Sequence, residues 1–96
     1  MADVVYGRFE WSAEKARRNA QEHLVHFEEA VTVFDDPFFK IYRSEEHSIE
    51  EDRYVIIGTS TRSRLLAVAF VERRRIRIIS ARKLTRRERK NYEEQE

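Results

Sequence analysis

The sequence predicts an α+β domain: an antiparallel sheet of about four strands, with two helices before it and one after. Three observations carry this. Apolar residues at helical spacing run through residues 13–34, β-branched strand-like runs fill residues 53–82, and a capping signature at residue 85 opens a last helical segment. Ninety-six residues suffice for one sheet and a few helices but not for two cores, so residues 1–96 are read as a single domain.

The elements follow in order. "VVYGRFEW" alternates loosely and holds aromatic and β-branched residues, which reads as a first strand. Ser12 is a suitable N-cap for a helix over "AEKARRNAQEH", whose apolar stripe of Ala13, Ala16 and Ala20 allows close packing. Phe27, Ala30, Val31 and Phe34 fall at i, i+3, i+4 and i+7, one buried face of a second helix. "DDP" ends it, because the residue before Pro37 is pushed out of helical geometry. "FFKIYR" reads as a short strand and "SEEHSIEED" as an acidic loop. "RYVIIGTS", "RLLAVAFVE" and "RIRIISAR" read as three stronger strands joined by short polar links, hence antiparallel hairpins. "LLAVAFV" is apolar on both faces and belongs at the centre. "TRRE" is a capping box, with Thr85 as cap and Glu88 reaching back, so a basic helix starts at Arg86.

Composition excludes several function classes. No apolar run is long enough to cross a membrane, and the N-terminus lacks the pattern of a signal peptide. Without cysteine there is neither a disulfide nor a thiolate metal site, and the expected location is the cytoplasm. Two glycines cannot build a Gly-rich phosphate loop, and no serine or threonine sits in a nucleophile elbow. The net charge of +1 hides an asymmetry: residues 1–61 hold 7 basic and 13 acidic residues, a balance of −6, while residues 62–96 hold 12 and 5, a balance of +7. Such halves can attract one another, or the basic half can serve an anionic partner.

Lys15, Asn19 and His23 lie four apart on the first helix and share a face. They can face a substrate or simply hydrogen-bond neighbouring backbone, and the second reading is favoured. His23, His26 and His47 do not form a metal motif, because His23 and His26 straddle a helix break; no metal or cofactor is expected. The arginines are the stronger signal. Arg62 and Arg64 lead into the central strand, Arg75 and Arg77 share one face of the next, and Arg82 ends it on the parity of Ile76 and Ile78. Arg86, Arg87, Arg89 and Lys90 follow on the last helix beside Tyr92. They can line a groove for a phosphate backbone or be a solvated face.

The chain resembles the BrnT toxins of bacterial type II toxin–antitoxin pairs, which are similar to the RelE ribonucleases. The markers are "FEW" followed by Lys15, Asn19 and His23, then "FEEAVTVFDDP", "RYVIIGTS", "RLLAVAFVER", "RIRIISAR", Glu88 and "YEE". The family usually reads His-Gly-Val-Ser-Phe before "EEA"; here Leu24 replaces a glycine suited to a helix C-cap and His26 a serine suited to an N-cap.

The resemblance implies a RelE-like fold and a metal-independent endoribonuclease. It also implies a cognate BrnA-like antitoxin that neutralises the toxin and carries the complex to operator DNA, repressing the operon. In such chemistry the 2′-hydroxyl of RNA attacks the neighbouring phosphate while a base, cationic groups and an acid assist. Arg82 and Arg64, supported by Arg77, are the candidates for charge stabilisation, since a guanidinium fork matches phosphate oxygens. His23 and Tyr92 are the candidates for acid and base, and their roles stay open. Arg62, Arg77, Arg86, Arg87 and Lys15 would bind the RNA. The competing reading is a non-enzymatic basic module that docks an acidic protein or nucleic acid. Direct operator binding by this chain is disfavoured, because no helix-turn-helix pattern is present.

Overall fold

The structure is a computed structural model that describes residues 2–44 and 52–95. His47 and most of the acidic loop lie outside the described residues. Six strands form one sheet in the order β1-β2-β6-β5-β4-β3. They are β1 (Asp3–Tyr6), β2 (Phe9–Ser12), β3 (Lys40–Arg43), β4 (Arg53–Thr59), β5 (Leu65–Glu72) and β6 (Ile76–Lys83). The helices are α1 (Ala13–His23), α2 (Phe27–Ala30), continued by a 3₁₀ turn over Val31–Asp35, and α3 (Arg86–Glu94). The α+β class is as expected, and β5 is interior.

Two expectations are corrected. The sheet has six strands rather than about four, partly because the first predicted strand is a hairpin. Gly7 turns it at φ +62°, a left-handed conformation that glycine adopts without steric penalty. Nor is the sheet wholly antiparallel. Phe9 and Glu10 of β2 pair in parallel with Ile76 and Arg77 of β6. Periodicity identifies strands but says nothing about a partner so far along the chain.

The helices form where their ends are satisfied. The Ser12 hydroxyl accepts the Lys15 N–H at 3.2 Å and starts α1. The Thr85 and Glu88 side chains cap α3 reciprocally, as the capping box requires. Asp36 is extended before Pro37 and ends the second helical segment. Its carboxylate accepts the Thr59 N–H at 2.7 Å, which needs Gly58: a Cβ there would meet Asp36 Oδ2 at 2.9 Å.

One face of the sheet carries the main core. Trp11, Phe27, Ile56, Leu66, Val68 and Ile78 are fully buried there, and Phe34 meets Phe9 and Phe70 edge-on. The opposite face holds a smaller cluster under α3, built from Ala67, Leu84 and Tyr92. No helix among the described residues is long and apolar enough to cross a membrane.

A β-bulge in β6 decides where Arg82 points. Ser80 opposes Ala69 and Ile78 opposes Phe70, so Ile79 is an extra residue. The bulge reverses the alternation. Ile78 and Ala81, three apart, both face the main core, while Arg82 pairs with Ala67 on the α3 face. The expectation that Arg82 shares the face of Ile76 and Ile78 is therefore corrected.

Candidate functional site

One end of the sheet gathers most of the candidate residues. The turn between β4 and β5 is tied down by its own polar groups. The Ser60 hydroxyl donates to Glu29 Oε2 at 2.7 Å and accepts the Arg62 and Arg64 N–H groups at 3.2 and 3.4 Å. Ser63 turns the chain at φ 60°, and the Thr61 N–H reaches Thr32 Oγ1 at 3.0 Å. Asn19 fastens α1 to β6: its amide donates to the carbonyls of Val25 at 2.9 Å and Ala81 at 2.8 Å, and its oxygen accepts the Ala81 N–H at 3.1 Å. Asn19 is thus buried and structural, satisfying strand-edge groups that β2 does not reach. Because Ala67 pairs with Arg82 and Leu66 with Lys83, the β4–β5 turn lies beside the end of β6. Arg62, Arg64, Arg82 and the start of α3 therefore lie toward one end of the sheet, and the Leu24 carbonyl, next to His23, bonds Arg64 there.

Donor arithmetic separates the three arginines expected to stabilise charge. A guanidinium has five N–H groups and two forks: an end-on fork from Nη1 and Nη2, and a side-on fork from Nε and Nη2. Arg82 spends its end-on fork on Glu88, with Nη1 to Oε1 at 2.7 Å and Nη2 to Oε2 at 3.0 Å. A further Nη1 bond reaches the Lys83 carbonyl at 3.2 Å. The side-on fork remains, on a side chain 42 % exposed. Arg77 also keeps its side-on fork, but Asp3 and Glu10 both hold its Nη groups and its side chain is 18 % exposed. Arg64 has no fork left. Nε donates to Glu29 Oε2 at 2.9 Å, and Nη2 to Glu29 Oε1 and to the Leu24 carbonyl. Only its Nη1 hydrogens are unspent.

The carboxylates record these pairings. Glu88 is held at a pKa of about 2, first by the Arg82 hydrogen bonds and then by the Thr85 N–H. The hydrogen bond from Arg64 lowers the carboxyl of Glu29 against the opposing effect of burial. Arg64, Arg77 and Arg82 are all raised, chiefly by hydrogen bonds to Glu29, Asp3 and Glu88 respectively.

Other candidates take different positions. His23 and Lys15 are exposed and line a groove of about 180 Å³ with Asn19, Ile79 and Ser80. Arg62, Arg86 and Arg87 are exposed and hold no carboxylate among the described residues. Arg77 is set apart from Arg82 by five residues of strand, roughly 16 Å. Arg75 falls in the β5–β6 turn. Tyr92 is buried, and its hydroxyl donates to the Phe38 carbonyl at 3.0 Å. His26 stands at the N-cap of α2, across the break from His23. Among the described residues no group of three or more His, Asp or Glu is placed to hold a metal.

Sequence reasoning missed the acidic partners. Glu88 was legible as a cap but not as the partner of Arg82, although both flank the start of one helix. Glu29 gave no signal, being 35 residues from Arg64. A family model described as the ribonuclease toxin BrnT of type II toxin–antitoxin systems matches residues 11–88, which include Arg82 and Glu88. No curated protein matches the chain. That match spans most of the sequence and ends at the carboxylate that holds Arg82, so the chain belongs to the BrnT family of type II toxin–antitoxin ribonuclease toxins.

Proposed function

We propose that this chain cuts RNA without a metal cofactor, with Arg82 as the phosphate ligand. The free side-on fork of Arg82, exposed at the crowded end of the sheet, carries the reading. The 2′-oxygen attacks phosphorus, a base takes its proton, the bond to the 5′-oxygen breaks, and that oxygen takes up a proton. The products are a 2′,3′-cyclic phosphate and a 5′-hydroxyl. Two N–H groups of Arg82 stabilise the charge building on the phosphorane oxygens. His23, in the groove beside Ser80, is the candidate for proton transfer. Lys15, Arg62, Arg86 and Arg87 hold the RNA on either side. Arg64 and Tyr92 enter mainly as supports: Arg64 locks the β4–β5 turn through Glu29, and Tyr92 seats α3. The family points further to a BrnA-like antitoxin that neutralises this chain, and to operon repression by the complex through the antitoxin's DNA-binding part. The toxin acts in the cytoplasm, where its RNA substrate is made.

The test is cleavage of single-stranded RNA by purified protein in EDTA, beside growth with and without the neighbouring gene. Cleavage should occur and Arg82→Ala should lower its rate about a hundredfold or more while the protein stays folded. Arg64→Ala should chiefly lower the melting temperature, since it strands the buried Glu29 carboxylate. RNA retained without cleavage would favour the non-enzymatic basic module, a reading that the carboxylates paired with Arg64, Arg77 and Arg82 support.

A further inference from the structure

We infer that Glu88 is a positioning residue for the cleavage step: it holds the Arg82 guanidinium end-on so that the side-on fork faces the scissile phosphate. This rests on the assignment of Arg82 as the phosphate ligand. Glu88 does two jobs with one carboxylate. Oε1 accepts the Thr85 N–H at 2.9 Å and Arg82 Nη1 at 2.7 Å, and Oε2 accepts Arg82 Nη2 at 3.0 Å. The Glu88 N–H closes the box on Thr85 Oγ1 at 3.1 Å. The first turn of α3 is thereby bolted to the end of β6, and a long, flexible side chain is fixed before any substrate arrives. Such preorganisation is what a charge-stabilising group needs, because no reorganisation is then required at the moment of reaction.

Two simpler roles for Glu88 fit less well. As a general base it would be poorly matched, because hydrogen bonds from Arg82 and the Thr85 N–H keep it ionised down to about pH 2, far below the range of an effective proton acceptor near neutrality. As a cap alone it would not require its charge, since glutamine also serves in a capping box. The contrast with Glu29 is also informative. That carboxylate takes the side-on fork of Arg64 and leaves it unable to grip a phosphate, whereas Glu88 takes the other fork and leaves the useful one open.

Glutamine preserves the cap and removes the second acceptor oxygen, so Glu88→Gln isolates the positioning role. With a 5′-labelled single-stranded RNA that the parent protein cuts, Glu88→Gln should lower kcat roughly 10- to 100-fold, with KM changed by no more than about twofold. Glu88→Asp, which keeps the charge but withdraws it by one methylene, should lose kcat likewise and covers the case in which Glu88→Gln fails to fold. Adding Glu88→Gln to Arg82→Ala should cost nothing further, because the residue acts only through that arginine. Thr85→Ala, which loosens the cap but leaves both Arg82–Glu88 bonds available, should lower the melting temperature and cost kcat much less than Glu88→Gln does. Parental kcat in folded Glu88→Gln, alongside an inactive Arg82→Ala, would overturn the inference and leave the function standing. Parental kcat in Arg82→Ala would overturn both.

Discussion

Leu24 ends α1 at φ 58° and ψ 34°, a conformation in which a side chain crowds the backbone. Leu24 is 68 % exposed, so no packing offsets the strain. Its N–H still bonds to the Ala20 carbonyl, and its own carbonyl accepts Arg64 Nη2, so the turn keeps its geometry although glycine is missing. His26, at the next N-cap, makes no side-chain capping bond. Leu24→Gly should therefore stabilise the protein by about 1 kcal/mol. His26→Ser should add about 1 kcal/mol through a restored cap. Urea denaturation of each variant checks this; an unchanged midpoint for Leu24→Gly would show that the strain is relieved elsewhere. The arginines make a parallel point. Residue type marks a phosphate binder only in part, because a fork already spent on a carboxylate, as at Arg64, cannot be offered again.

The bulge at Ile79 and the seating of α3 act at the level of elements. Without the extra residue, strict alternation would turn Arg82 into the main core, where an unpaired charge is costly. With it, Arg82 reaches the start of α3. Besides the Arg82–Glu88 pair and the packing of Tyr92 on Ala67 and Leu84, that helix is held by the Tyr92 hydroxyl on the Phe38 carbonyl, Lys40 Nζ 4.9 Å from the Tyr92 ring centre, and the Tyr42 hydroxyl on Gln95 at 3.0 Å. Tyr92→Phe removes a hydroxyl bond and should cost about 1 kcal/mol of stability while cleavage persists within a few-fold. Measured rates settle the matter, since a hundredfold loss of cleavage in a folded Tyr92→Phe would make the phenol a proton donor instead of an anchor.

For the whole molecule, the two oppositely charged segments divide the basic residues into two uses. Arg64 pairs with Glu29, and Arg77 with Asp3 and Glu10, all acids of the first 61 residues, while Arg82 pairs with Glu88 of its own segment. Cations on α3 and its flanking turn, namely Arg62, Arg86, Arg87, Arg89 and Lys90, are exposed and hold no carboxylate among the described residues. Like charges crowded on a short helix repel, and a polyanion or an acidic antitoxin segment would offset that repulsion. RNA affinity should then fall steeply with salt, by about 0.7 in log–log slope for each phosphate contacted. Replacing Arg86 and Arg87 together should flatten the slope by about 1.4 and leave kcat nearly unchanged. A slope that stays the same would place the RNA elsewhere, and Arg89→Ala should weaken binding only modestly.

What the sequence determined by itself was local. Ser12 and the Thr85–Glu88 box set helix starts, Pro37 set a stop, and β-branched runs with short links set the three strands of residues 53–83, because each depends on residues a few positions apart. The family markers and the basic tail were readable for the same reason. Tertiary structure decided what depends on distant partners. It paired β2 in parallel with β6, buried Asn19 against Ala81, and set Glu29 on Arg64. A one-residue bulge then chose the face of Arg82, and that choice left an arginine with an open fork at the surface. Periodicity carries no information about such pairings, since the energy that fixes them is gained only when segments far apart in the chain meet.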